Sequence, residues 1–536
     1  MATAQNATMV RPDATTFSGA PINNITKGLP KEVDSICPDP DCHKVIRARL
    51  FEEHGRVYME KTCPEHGYVK DLYWSDAELY LKAERWEFGD FPGLSNPNAH
   101  SEVCPRDCGL CQQHTSHTVL GNIDLTNRCN LTCPICFANA NVTGKVYEPS
   151  REQIKEMLGL YRNEQPVAGR VVQFSGGEPT IHPDFLDILR DATGLGYAHL
   201  QIASNGIKLA NQDFADQAAE AGLHTIYLQF DGLDDRVYKQ TRGRELLETK
   251  LKAVEAIRKS GMKIVYVPTI VGGINEDQVG KILQFAIDNI DVSSGISYQP
   301  VAITGRISYE EREKLRFTLT DLTRAIDEQT GYTRKSDWYP LSLVSPISKM
   351  IGAVRGHSTV HITCHPHCSL GTYLAIEPDT KRPVPITRFI DVEGFFLELD
   401  AQADKIFNAR FKRLSQATAL YQLQRYFKRS EAPSGLDFAG FMHSLDGMTD
   451  HKIGRDPVEK TYKLLLVAGM HFMDGYNYEL ERVRRCVIHY ATPAGRIIPF
   501  CAYNCGLVHR TTIEDQFSVP MEEYLKRRKE NPRAGD

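Results

Sequence analysis

The chain has 536 residues, too many for one hydrophobic core, and its 63 Lys and Arg against 68 Asp and Glu give a formal charge of −5. That balance excludes a general nucleic-acid binder, and the longest apolar run, Leu464 to Met473, is too short to cross a bilayer and is broken by Gly469 and His471. Fourteen cysteines without an export signal read as metal ligands in a reducing, cytoplasmic setting rather than as disulfides.

Residues 1–30 are polar and lack the basic-then-apolar order of a signal peptide, so a flexible leader is expected. Residues 31–100 are expected to form a small β module and its connection. There "CPDPDC" and "TCPEHGYVKD" flank "KVIRARLFEEHGRVYMEKT", a hairpin turning near His54-Gly55. Cys37, Cys42 and Cys63, with His66 as fourth ligand, resemble the knuckles of rubredoxin and of zinc ribbons. Iron and zinc both accept such a tetrahedral set.

Residues 101–307 open with "CPRDCGLCQQHTSHT", which carries Cys104, Cys108 and Cys111; His114 or His117 could complete a zinc site there. From Thr118 to Val301 short apolar runs alternate with amphipathic stretches. "TVLGNIDL", "RVVQFSG", "HLQIASNG", "TIYLQFDG", "KIVYVPTI" and "GISYQPV" read as strands. Between them, "SREQIKEMLGLYRN" is a helix opened by Ser150, "PDFLDILRDATG" one closed by Gly194, and "NEDQVGKILQFAIDNI" one capped by Asn275. Six such units predict an α/β fold with a parallel sheet, open or curled into a partial barrel, and a ligand site at the carboxyl ends of its strands.

Residues 308–536 are expected to be helical at first, over Tyr309 to Thr330, and then α+β with the last cysteines, Cys364, Cys368, Cys486, Cys501 and Cys505. Lys428 to Pro457 reads as loop and "YKLLLVAGMHFM", from Tyr462, as a core helix or a wall for a hydrophobic substrate. "YLKRRKEN" is a solvated helix end that could also touch an anionic membrane.

The decisive stretch is "TNRCNLTCPICFAN". Cys129, Cys133 and Cys136 follow the first strand at spacings that bind three irons of a 4Fe–4S cube and leave the fourth open. An open iron can chelate the amino and carboxylate groups of S-adenosylmethionine. At the end of the second strand "FSGGEPT" supplies Gly176, Gly177, Glu178 and Pro179, glycines for close backbone approach and a carboxylate for an ammonium group. These two motifs in this order resemble the core of the radical S-adenosylmethionine (SAM) superfamily, a partial (β/α)6 barrel. The resemblance implies that Gly176 to Glu178 receive the methionine amino group and that Ser204, Asn205 and Gln229 contact ribose or carboxylate. The residue before the third cysteine, usually aromatic, is here Ile135, with Phe137 following.

Setting aside three cysteines for that cluster and three for the N-terminal module leaves eight, enough for two fully ligated auxiliary 4Fe–4S clusters. One would use Cys104, Cys108, Cys111 and Cys364, the other Cys368, Cys486, Cys501 and Cys505. The whole layout, including "CHPHCSLGTY" and "FCAYNCG", resembles the archaeal tetraether lipid synthases and their bacterial relatives from residue 31 to 515. That resemblance implies carbon–carbon coupling of lipid tails, with an auxiliary cluster holding the first alkyl radical, and a ferredoxin- or flavodoxin-type electron donor. A member of the same group that methylates a pterin precursor makes pterin methylation the alternative. A non-catalytic electron carrier is a third reading, against which the open iron argues. The metal complement expected is three 4Fe–4S clusters and one mononuclear iron or zinc.

Overall fold

The computed structural model describes residues 25–88, 93–304, 311–357, 359–377, 379–446, 462–505 and 509–530. Most of the expected leader, residues 1–24, lies outside them. Residues 25 onward are already packed: Ile25 is buried and its N–H donates to the Glu87 carboxylate at 2.8 Å.

Strands β1 (Lys31–Ile36), β2 (Val45–Glu53), β3 (Arg56–Cys63) and β4 (Gly67–Trp74) form an antiparallel sheet in sequence order. The β2–β3 turn falls at His54 and Gly55, both at positive φ, as the sequence predicts. Alternation in β3 sends Val57, Met59 and Lys61 inward, so the module packs on the main body rather than hanging from it.

The main sheet is built from β5 (Leu120–Thr126), β7 (Val171–Gly176), β8 (His199–Ser204), β9 (Thr225–Gln229), β10 (Lys263–Val267) and β12 (Ser293–Pro300). These six expected strands lie side by side in chain order and are all parallel. The chain then adds strands at both edges. β15 (Lys463–Met470) pairs parallel with β12, and β16 (Ile488–Ala491) pairs parallel with β5. Beyond them lie antiparallel β13 (Ser369–Ile376), β14 (Pro383–Pro385) and β17 (Ile497–Pro499), while β11 (Thr269–Ile270) extends along β12. Short β6 (Lys145–Tyr147) pairs with β18 (Ser518–Pro520).

Local chemistry explains the crossovers. The helix Arg151–Arg162 starts with a capping box between Ser150 and Gln153 and buries Ile154, Met157, Leu158 and Tyr161, a stripe at helical spacing. Asn275 stands at the expected cap position, before a 3-10 turn at Glu276–Gln278 that runs into the helix at Val279, but its side chain makes no cap bond. It ties the β11 loop instead, donating to the carbonyls of Asp231 and Thr269. The segment "YKLLLVAGMHFM" is strand β15, not a helix: its eight-residue apolar run suited either, and pairing on both edges with β12 and β13 decided it. Where a loop was expected after Lys428, residues Phe438–Asp446 are helical; residues 447–461 lie outside the described residues.

The helices Ser345–Arg355 and Val392–Asn408 cover the β13 edge with a separate core around Phe389, Phe395 and Leu399. Among the described residues no helix is long and apolar enough to cross a membrane.

Candidate metal and S-adenosylmethionine site

The three-cysteine loop leaves β5 at its carboxyl end and is held by side chains on every side. Asn141 accepts from the Cys129 N–H (3.0 Å) and donates to the carbonyls of Cys129 (2.9 Å) and Leu131 (3.2 Å). From the far wall Arg242, paired bidentately with fully buried Asp231 (2.6 and 2.9 Å), donates to the Ile135 carbonyl at 2.9 Å. The Asp231–Arg242 pair therefore positions the stretch between Cys133 and Cys136, a task no sequence motif announced. The Cys129 thiol is pushed up to about 12, by burial first and then by the charges of Glu178, Cys133 and Cys136. A positively charged metal centre among the three thiols would relieve that penalty.

The second motif does something the sequence did not suggest. Gly176, at φ +124°, and Gly177 lie against the base of the cysteine loop: a Cβ on Gly176 would sit 2.2 Å from the Thr126 carbonyl oxygen, and one on Gly177 2.1 Å from that of Arg128. The approach is backbone to backbone, sealed by Gly177 N–H to Thr126 O (2.7 Å) and Glu178 N–H to Arg128 O (2.9 Å). Glu178 is buried and already engaged. Its carboxylate accepts from the Thr180 N–H (3.2 Å) and hydroxyl (2.6 Å), the Ser204 hydroxyl (2.9 Å) and the Asn205 N–H (2.8 Å). It caps the 3-10 turn begun by Pro179 and ties it to the end of β8. Burial raises its pKa against the pull of those four bonds. Asn205 reaches the cysteine loop, donating to Asn130 at 2.6 Å, and Gln229 accepts from buried Lys250 at 2.7 Å. Burial lowers Lys250 to about 7. Ile135 packs near Val271, Val301 and Ile303, while Phe137 stacks on Phe500 at 5.5 Å.

In the N-terminal module the ligand atoms of Cys37, Cys42, Cys63 and His66 lie within 4.8 Å of one another, close enough for one ion. Hydrogen bonds from the Glu65 N–H first, then His66, lower Cys63 to about 6, favouring its thiolate. Among the described residues the other cysteine sets do not gather this tightly.

Cys104, Cys108 and Cys111 line one small cavity with His114 and Arg484. The charge neighbours of Cys108 are Cys104, Cys111 and Cys486, whereas Cys364 adjoins Cys368. Cys486 lies between the sets: it neighbours Cys108 on one side, and its own charge neighbours are Cys501 and Cys368. Cys501 neighbours Cys368, and Cys505 neighbours Cys501. Arg482, fully buried, donates to Cys368 Sγ at 3.5 Å and to the His471 carbonyl at 2.6 Å. Beside it His365, His367 and Glu479 form a buried triad. His365 Nδ1 accepts from the His367 N–H, and its Nε2 lies 3.7 Å from the Glu479 carboxylate, beyond hydrogen-bond reach, while one ligand atom from each of the three residues lies within 4.8 Å of the others. The "CHPHC" spacing held this signal, but Glu479 was out of reach of any local pattern.

Residues 123–286 match the Radical SAM superfamily family model, and residues 29–75 match that of the HMPTM N-terminal zinc ribbon domain. A 7,8-dihydro-6-hydroxymethylpterin dimethyltransferase of Methanocaldococcus jannaschii is 42% identical over 504 residues, 94% of this chain and 98% of that protein. The chain belongs to that protein's family. It is a radical SAM enzyme, a class that uses a 4Fe–4S cluster and SAM. A probable GTP 3',8-cyclase of Pyrococcus abyssi is 29% identical over 165 residues, covering 31% of this chain and 51% of that one. The crystal structure of Streptococcus suis SuiB bound to S-adenosylmethionine covers 40% of the chain and 45% of its own at 20% identity and TM-score 0.32. The family overturns the lipid-coupling expectation: the full-length relative bears a pterin name.

Proposed function

We propose that this radical SAM enzyme is a transferase that methylates a pterin. The observation that carries the reading is end-to-end similarity, zinc ribbon included, to a 7,8-dihydro-6-hydroxymethylpterin dimethyltransferase. When bound, a 4Fe–4S cluster with one open iron supplies the electron that releases a 5′-deoxyadenosyl radical from SAM, and that radical takes a hydrogen atom from a substrate C–H bond.

The chain's own residues set the stage for this. Cys129, Cys133 and Cys136 hold the cluster; Asn141, Arg242 and Asp231 fix their loop. Glu178, Ser204 and Asn205 lock the strand ends that face the methionine moiety, so their part in SAM binding is to shape its cradle. Two auxiliary 4Fe–4S clusters would be held by the eight thiols Cys104, Cys108, Cys111, Cys364, Cys368, Cys486, Cys501 and Cys505, with Cys486 between the two sets. The module at Cys37, Cys42, Cys63 and His66 holds one zinc or iron, and a small redox protein delivers the electrons.

The test is isotopic. Reconstituted enzyme, reductant, SAM and pterin deuterated at its carbon-bound positions are mixed anaerobically, and 5′-deoxyadenosine is analysed by mass. Deuterium in 5′-deoxyadenosine is the expected result. Unlabelled 5′-deoxyadenosine with the pterin unchanged would overturn the reading.

A further inference from the structure

The walls of the barrel are buried on one face and open on the other. In β7 the outward Val172 and Phe174 are fully buried, while inward Val171 and Gln173 are only partly covered. The same alternation recurs in β9, where Tyr227 and Gln229 are the partly exposed pair, in β12 with Ser297 and Gln299, and in β15 with Ala468 and Met470. Helices cover the outer face, so the partly exposed face borders a lumen. Barrels of this kind are commonly filled by bulky branched side chains. Here Ala203, Ser297 and Ala468 are small residues at partly exposed inward positions, whereas Ser175 is buried against Asp124 and Ala203 lies beside Tyr227. The small side chains leave room in the lumen on that side.

The floor of the room is polar. Asn122, Gln173 and Gln201 occupy matched positions on β5, β7 and β8. Gln173 Nε2 donates to Asn122 Oδ1 at 2.8 Å, and Gln201 Nε2 donates to Gln173 Oε1 at 2.8 Å. The ladder does not close. Asn122 is fully buried, yet its Nδ2 has no hydrogen-bond partner, a donor that burial makes costly to leave unmade and that a ligand could satisfy. The neighbouring carboxylate is not available to do so: Asp124 is held by Ser175 at 2.8 Å and by Arg510 at 2.6 Å. Gln173 lies three residues before the end of its strand at Gly176, about 10 Å below it. The adenosyl group would fit between this floor and the cysteine loop.

We propose that Asn122, Gln173 and Gln201 are the specificity-determining residues that read the hydrogen-bonding edge of a flat, amide-bearing heterocycle lying in the lumen. This rests on the pterin reading, and it adds where the ring sits and what recognises it. Each amide offers both an N–H donor and a carbonyl acceptor, and three in a row match the alternating N–H and C=O groups of an aminopyrimidinone ring. Tyr227, on the same face of the next strand, supplies an aromatic flank for a planar ligand.

The experiment uses the reconstituted holoenzyme with SAM and titrates 6-hydroxymethylpterin by its fluorescence, alongside a lumazine analogue in which the 2-amino group is replaced by oxygen. Gln173→Met and Gln201→Met should each bind pterin about tenfold more weakly, with unchanged SAM affinity and iron content. Unmutated enzyme should bind the lumazine analogue at least tenfold more weakly than pterin. Equal binding of pterin by folded variants and parent, or equal binding of the two ligands by the parent, would overturn the inference while leaving the pterin reading intact. Failure of the parent to bind pterin at all would overturn both.

Discussion

Gly177→Ala isolates the contact that joins the two SAM motifs. The added Cβ would meet three backbone atoms, at 2.1 Å and 2.6 Å from the oxygen and carbon of Arg128 and 3.0 Å from the oxygen of Asn127. None can swing aside like a side chain. To reach ordinary contact at 3.4 Å the β7 loop must withdraw by about 1.3 Å from the cysteine loop. Overpacking of this kind costs about 1–3 kcal/mol, and a displacement near 1 Å at a reacting centre can cost about a hundredfold in rate. The three cysteines remain on their own loop, so iron incorporation should persist. The assay is 5′-deoxyadenosine formation under dithionite, with iron content and melting temperature on the same preparation. Gly159→Ala is the control: its Cβ would meet nothing within 4 Å, and in mid-helix it should stabilise by about 1 kcal/mol without changing the rate. A Gly177→Ala variant that cleaves SAM at the parent rate would refute the reasoning.

Glu178→Gln replaces one accepting oxygen with a donor that meets the Asn205 N–H or the donors of Thr180 and Ser204, so the protein should lose about 1–3 kcal/mol and bind SAM more weakly; unchanged melting and affinity would contradict the cradle role. Arg482→Gln removes a buried cation beside Cys368; if the proposed auxiliary cluster is held there, it should become harder to reduce by on the order of 60 mV (1.4 kcal/mol for one electron), read by a redox titration followed by electron paramagnetic resonance. Burial lifts the Glu164 carboxyl from 4.5 to about 7 despite its bonds to Thr118, so the folded state holds a proton that the unfolded state releases between those values. Stability from this group is therefore full below about pH 4.5 and falls as pH rises to 7, by about 3 kcal/mol; Glu164→Gln should remove that slope in urea unfolding, and parallel curves for variant and parent would rule it out.

Much of this site was legible because its chemistry is local. Cys129, Cys133 and Cys136 sit on one loop, Gly176 to Pro179 on the next, and six strands announce themselves by apolar runs. What was not legible is long-range. Arg242 clamps Ile135 across 107 residues, and Cys486 returns from the far end of the chain to neighbour Cys108. Pairing also decided β15, since an eight-residue apolar run carries no period that separates a buried strand from a buried helix. The close approach of Gly176 and Gly177 to the backbone of Thr126 and Arg128 was also hidden, since it joins two loops that the chain order sets apart. Substrate choice was hidden for a different reason. The cysteine pattern records how clusters are held, while the side chains at Asn122, Gln173 and Gln201 are ordinary amides until three strands align them.

The most direct measurement is the product itself. Anaerobically reconstituted enzyme is given SAM, a reductant and 7,8-dihydro-6-hydroxymethylpterin, with cell extract as a source of one-carbon donors, and the pterins are separated and weighed by mass spectrometry. The expected result is a pterin heavier by one or two methylene units that is absent when Cys129, Cys133 or Cys136 is replaced by Ala. Unaltered pterin, in a preparation that makes 5′-deoxyadenosine at an undiminished rate, would contradict pterin methylation.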